Sequence, residues 1–351
     1  MAKNIVVFSD GTGQEGGVGN NTNVYKLFNM LEERTARQIA FYDRGLGTGA
    51  RKVTGNVGGR GISRNIKDCY RFIFEHFRAG DRLFLFGFSR GASTVRSLSS
   101  FIHYFGILPQ SRPELIDRAY KIYKIEDDDE RKRRADAFVE RHHTMWTRIT
   151  FIGCFDTVAA LGLPFKAASL LLDGIPGFRH RFHNFSLSPS VENAYHALAL
   201  DDERKTFHPV LWEPEVLDYQ TVRQVWFMGM HTDVGGGYAE QELSDIPLVW
   251  MTQKAVEHGL HIFPRHKVTI AEDADGFMHD SRGKGLTKFY RRKVRAWDTR
   301  RSDRPVVHQS VLERKKSRAN EDDSPYRPWI LDHEYEVEPW VRYELQPWRT
   351  A

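Results

Sequence analysis

The segment that most constrains this chain is Leu83 to Ala92, which reads LFLFGFSRGA. Leu83 to Phe86 is fully apolar and has the length of a buried strand. The run breaks at Gly87-Phe88-Ser89-Arg90-Gly91, and a helical pattern carrying Leu98, Phe101 and Ile102 follows at once. A G-x-S-x-G held between a buried strand and a helix predicts a nucleophile elbow. The serine of such a turn takes a strained conformation that lifts its hydroxyl above the sheet. Side chains two residues to either side would collide, hence the glycines. The helix then aims its first N–H groups and its dipole at the serine, which favours developing negative charge. Ser89 is the candidate nucleophile, and the N–H of Arg90 is a candidate oxyanion donor.

The rest of the chain supplies a sheet for this turn. Ile5 to Phe8, Gln38 to Tyr42, Arg148 to Phe155 and Val222 to Met230 read as further strands. Asn23 to Leu31, Ile62 to Arg78, Ala92 to Phe105 and Leu243 to Leu260 read as helices, each with apolar residues on one face. Alternation of this kind predicts an α/β fold with a mostly parallel sheet flanked by helices. Residues 109–147 read as a charged helical insertion, and 159–221 as a second insertion without clear alternation. The region from about 265 to 351 reads as basic and irregular. All 351 residues are assigned to one domain.

Composition narrows the class. Hydrophobic residues make up 40% and charged residues 28%, which excludes disorder and collagen-like repeats. No run approaches the roughly 20 apolar residues needed to span a bilayer. Met1 to Asn4 lead directly into a strand with no signal-peptide core, so the expected compartment is the cytoplasm, with signal-independent export left open. Cys69 and Cys154 both sit in apolar segments and are expected as buried thiols, not as a disulfide or a zinc site. No H-E-x-x-H or Cys/His ligand spacing occurs, so neither a metal nor another cofactor is expected.

A serine nucleophile needs a base and a group that orients it. Asp156 follows the strand Phe151 to Phe155, at the edge where open α/β sheets keep their sites. His231 and Asp233 lie in GMHTDVGGGY at the end of another strand, before a triple glycine suited to close backbone approach. His308 lies late in the chain, in VVHQS. The chain order serine, acid, histidine is met by Ser89, Asp156 and His231, and equally by Ser89, Asp233 and His308. The first set is preferred because both partners end strands. Asp10-Gly11-Thr12 ends the first strand, where a second oxyanion donor belongs. Gly11 or Thr12 offers the N–H, and Asp10 holds the loop or binds substrate.

These segments together resemble a known family. They are FSDGTG at 8–13, TNV at 22–24, GFSRGA at 87–92, FDTV at 155–158, YHALALD at 195–201 and Gly229 to Tyr238. In this order, across about residues 4 to 260, they are similar to uncharacterised bacterial and fungal α/β-hydrolase domains related to the type VI secretion phospholipase effectors. The resemblance implies an α/β-hydrolase fold, ester hydrolysis, and phospholipid substrates as in the effectors. Within it, His196 carries no catalytic role by order or spacing, and Asp201, Glu203 and Arg204 read as a structural ion-pair cluster.

Two surfaces bear on substrate. Residues 159–178 carry Leu161, Leu163, Phe165, Leu170, Leu171, Leu172, Ile175 and Phe178, too many apolar groups for a solvated loop, and are expected to form a lid or acyl-binding wall, with a core-packing helix that makes no substrate contact as the alternative. In 282–304, Lys288, Arg291, Arg292, Lys293 and Arg295 interleave with Phe289, Tyr290 and Trp297. A plain basic surface strand is the preferred reading there, and contact with an anionic membrane surface the alternative. No nucleic-acid-binding module is present, so nucleic acid is not expected as a partner. The oligomeric state is not legible. The expected activity is a serine hydrolase acting on lipid or other carboxylic esters. The alternative is a catalytically idle binding or scaffold protein that uses the 282–304 patch.

Overall fold

The computed structural model describes residues 2–11, 16–17, 19–32, 35–45, 57–158, 186–264, 266–282, 290–317 and 325–349. Thr12, the apolar stretch 159–178, and Lys288 and Phe289 of the basic patch lie outside the described residues.

Among the described residues, eight strands form one sheet in which every neighbouring pair is parallel. They are β1 (Asn4–Ser9), β2 (Gln38–Asp43), β3 (Arg82–Phe88), β4 (Ile149–Phe155), β5 (Val191–Ala199), β6 (Thr221–Phe227), β7 (Val306–His308) and β8 (Glu336–Glu338). Their order is β2-β1-β3-β4-β5-β6-β7-β8. The chain steps one way from β1 to β2 and the other way from β1 to β3. The topological switch point therefore lies between β1 and β3, where open α/β sheets bind ligands beyond the carboxyl ends of their strands.

Both faces of the sheet are covered, so the central strands are apolar on both sides. Ile5, Val7, Leu83, Leu85 and Ile152 face one core, shared with α2 (Val57–His76), α3 (Arg90–Phe105), α4 (Leu115–Tyr123) and α5 (Asp128–His142). Val6, Phe8, Phe84, Phe86 and Phe151 face the other, shared with α1 (Asn23–Met30) and α7 (Glu242–Glu257). A one-turn helix, α6 (His231–Gly235), follows β6, and α8 (Gln309–Ser317) follows β7.

Two stretches differ from expectation. Residues 159–221, read as an insertion, contain β5, which lies between β4 and β6 in the middle of the sheet. The irregular C-terminal region supplies β7, α8 and the edge strand β8. Cys69 and Cys154 are buried free thiols, and burial pushes the Cys154 thiol up to about 12. No helix among the described residues is long and apolar enough to cross a membrane.

Candidate active site

The elbow takes the form its spacing predicts. Ser89 has φ 58° and ψ −120°, between the end of β3 and the start of α3. A Cβ on Gly91 would lie 1.9 Å from the Ser9 carbonyl oxygen, and one on Gly87 would lie 2.5 Å from the Gly91 oxygen. Both glycines are therefore required by contact with backbone, which cannot yield. Arg90 opens α3, so its N–H belongs to the first turn, where backbone donors lack an intrahelical acceptor. Gly11 sits beside the turn, since its Cβ would lie 3.5 Å from that of Ser89. The Asp10 carboxylate accepts from Gly11 N–H at 2.7 Å, Thr22 Oγ1 at 2.6 Å and the Tyr42 hydroxyl at 2.6 Å. Of the two expectations for Asp10, these bonds match holding the loop. Burial raises its pKa in spite of them.

The elbow is tied to the end of β4. Ser89 N–H donates to the Phe155 carbonyl at 3.0 Å, and Ser93 Oγ donates to the Val158 carbonyl at 2.7 Å. Between these ties lies Asp156, fully buried, with φ 37°. Its Oδ2 meets Nδ1 of His231 at 2.6 Å. The His231 ring lies 4.6 Å from that of Phe88, the residue before Ser89, and 5.1 Å from that of Phe207. Ser89 and Asp156 thus follow the carboxyl ends of β3 and β4, and His231 opens α6 after β6. An imidazole held by a carboxylate at Nδ1 has Nε2 left to exchange a proton with a hydroxyl.

Asp156 has a further partner, Arg295, which sequence reasoning placed on the surface. Arg295 is 1% exposed and forks onto Asp156, with Nη1 to Oδ1 at 2.7 Å and Nη2 to Oδ2 at 2.8 Å. Ala199 N–H adds a bond to Oδ1 at 3.0 Å. Burial alone would raise the Asp156 carboxyl, but the Arg295 charge and hydrogen bonds, aided by His231, hold it well below the usual carboxylate range.

Neighbouring groups brace this arrangement. His196 Nε2 accepts from Thr157 N–H at 3.0 Å, and burial lowers the histidine to about 3, so it is a neutral acceptor that secures the turn after Asp156. Asp202 accepts from His231 N–H at 3.2 Å and pairs with Arg204, with Arg204 Nη2 at 2.5 Å. This corrects the expected ion-pair cluster. Asp202 is the partner of Arg204, Glu203 pairs with Arg292 at 2.6 Å, and Asp201 accepts from Gly229 N–H and the Tyr326 hydroxyl.

The alternative residues lie in other environments. Asp233 pairs with Nδ1 of His279 at 2.7 Å. His308 is buried, stacks on Phe227 at 4.6 Å and bonds Ser310 Oγ at 2.8 Å, and burial lowers it to about 3. The structure does not bring Asp233 and His308 together. The triple glycine serves close approach as expected: a Cβ on Gly235 would lie 2.0 Å from the Phe88 ring, and Gly236, at φ 78°, bridges to Thr22. Several of the described basic side chains in this stretch are paired within the chain. Arg292 pairs with Glu203, Arg300 with Asp298, Arg301 with Asp303 and Arg304 with Glu334. Among the described residues, no group of three or more His, Cys, Asp or Glu side chains is placed to hold a metal ion.

A parallel sheet with a strained serine elbow at its switch point defines an α/β-hydrolase-like fold. Residues 3–254 match the family model described as T6SS, phospholipase effector Tle1-like, catalytic domain, and the chain belongs to that family. It is 28% identical over 237 residues to the uncharacterized protein YEL023C of Saccharomyces cerevisiae, a match that covers 60% of this chain and 33% of the yeast protein. The chain thus matches about a third of that relative's length. Among solved structures, an uncharacterized protein from Pseudomonas aeruginosa is similar over 77% of this chain and 48% of its own, with TM-score 0.45 and 17% identity. The Tle1 effector bound to the VgrG spike of the type 6 secretion system is similar over 68% and 52%, with TM-score 0.38 and 20% identity.

Proposed function

We propose that this protein is a serine hydrolase that cleaves acyl esters of lipids, phospholipids foremost, with Ser89 as nucleophile, His231 as general base and Asp156 as its orienting acid. The observation that carries the reading is the buried 2.6 Å bond between Asp156 and His231, on an imidazole packed against the residue next to a strained serine. His231 takes the Ser89 proton as the oxygen attacks the acyl carbonyl. The oxyanion forms at the start of α3, beside the Arg90 N–H and the Gly11 loop. The imidazolium then protonates the departing alcohol, and water releases the acyl group from Ser89 by the same route in reverse. The phospholipid preference rests on family membership alone. A fluorophosphonate probe tests the mechanism. Wild type should be labelled, Ser89→Ala should not, and esterase turnover should fall by about 10⁴ or more in the variant. A Ser89→Ala protein that hydrolyses esters at the wild-type rate overturns the proposal.

A further inference from the structure

We infer that Arg295 is a positioning residue of the hydrolytic site, fixing the orientation and negative charge of Asp156 so that His231 can act as base. The inference rests on the reading of Ser89, His231 and Asp156 given above. Arg295 comes from beyond residues 3–254, the part matched by the catalytic-domain model.

The geometry argues against a general structural pair. Oδ2 of Asp156 is shared between His231 Nδ1 at 2.6 Å and Arg295 Nη2 at 2.8 Å, while Oδ1 takes Arg295 Nη1 and Ala199 N–H. Both oxygens are therefore pinned in the plane of the guanidinium, and the carboxylate cannot turn away from the imidazole. The guanidinium is itself held, because Nη1 donates to the Ala199 carbonyl at 2.5 Å and Nη2 to the Phe207 carbonyl at 2.6 Å. Its segment is laced to the loop after β5, with Lys293 N–H to the Glu203 carbonyl at 2.7 Å and Lys205 N–H to the Arg291 carbonyl at 2.9 Å. A guanidinium offers this planar, two-point grip, and an ammonium does not.

Charge gives the second half of the argument. The groups facing Asp156 are His231 from α6, Arg295 from the C-terminal region, and His196 from β5, which is neutral, with the Asp202–Arg204 pair behind His231. Arg295 is the one permanent cation bonded to Asp156 among the described residues. Without it, a fully buried carboxyl would take up a proton at higher pH, and a protonated Asp156 no longer accepts from Nδ1 in the tautomer the base requires.

The test compares wild type, Arg295→Lys and Arg295→Met on a soluble short-chain ester, with folding followed by circular dichroism. Arg295→Lys should lower kcat about tenfold or more with KM changed less than about threefold, because the grip is lost while the charge stays. Arg295→Met should lower kcat further and move the acid limb of kcat/KM up by about one pH unit or more. Full kcat and an unmoved acid limb in a folded Arg295→Met protein overturn the inference. If that variant does not fold, wild-type kcat in Arg295→Lys overturns it instead. Fluorophosphonate labelling of wild type separates the two levels. An unlabelled wild type defeats the underlying mechanism, whereas equal labelling rates of wild type and folded Arg295 variants defeat the role of Arg295 alone.

Discussion

Two carboxylate–imidazole pairs meet on one short helix, and they are built to opposite ends. α6 carries His231, which bonds Asp156 at 2.6 Å, and Asp233, which bonds His279 at 2.7 Å. In the first pair the carboxylate faces a guanidinium, and the imidazole is enclosed by Phe88 and Phe207. In the second the imidazole faces two carboxylates, Asp233 and Glu240 at 3.4 Å, stacks on Tyr238 at 3.7 Å and reaches solvent. A cation placed on the acid keeps the carboxylate ionised and in place beside the ring. A second anion placed on the ring favours the imidazolium, as in an ion pair. The same two side chains thus serve as the proposed proton-transfer pair in one place and as a tie between α6 and the 271–282 loop in the other.

The largest effect should come from breaking the pairs at their rings. His231→Ala should lower kcat about as far as Ser89→Ala, by about 10⁴ or more, while His279→Ala should change it by less than about tenfold. A comparable loss in both would erase the distinction. Next come the acids. Asp156→Asn should lower kcat by about 10⁴ and leave Arg295 an uncompensated buried charge, at about 3–5 kcal/mol of stability. Asp233→Asn should keep most activity and lose about 1–3 kcal/mol, since Asp233 also accepts from Met230 N–H and His279 N–H. Chemical denaturation of purified variants beside ester kinetics checks both.

What sequence could and could not say about this contrast follows from the range of the forces involved. The elbow, Asp156 and His231 were legible because a buried strand ending in a special turn leaves a local mark, in apolar runs and in glycines. The pairing of His231 with Asp156 was preferred but not separable from Asp233 with His308, since partner choice depends on where strands lie in the sheet. β5 escaped because Glu192, Asn193 and His196 interrupt its pattern, and its place is set by parallel pairing with β4 and β6. β7 and β8 have three residues each, too few to show a period. Arg295 was invisible as an internal group because its neighbours Arg291, Arg292 and Lys293 are exposed, and nothing local distinguishes the one that turns inward.

The second pair should also report itself through pH. Burial would lower the His279 pKa, but the hydrogen bond to Asp233 and the charges of Asp233 and Glu240 raise it above the ordinary 6.5. A raised folded pKa gives stability that is fully present below about pH 6.5, the unfolded value, and is lost as pH rises through the folded value. The partial exposure of His279 screens the effect, so Tm should fall by only about 1–2 °C across that window from this group. His279→Gln should flatten that part of the Tm–pH curve. An unchanged slope would mean that His279 gains nothing from its two carboxylates.

The smallest expected change sharpens the comparison further, because it asks which carboxylate holds His279. Glu240 is half exposed and 3.4 Å from Nε2, whereas Asp233 is buried and 2.7 Å from Nδ1. An exposed partner at the longer distance contributes little, since water competes for both charges and the side chain must be ordered to make the bond. Glu240→Gln should therefore alter stability near pH 6 by no more than about 0.5 kcal/mol and leave most of the pH slope in place. It should also make Tm less sensitive to salt, because the exposed charge pair is the screened one. If Glu240→Gln instead abolishes the slope, the imidazolium is held mainly by the outer carboxylate. Asp233 would then serve chiefly the start of α6 through Met230 N–H, and the two pairs would not be the opposed constructions described above.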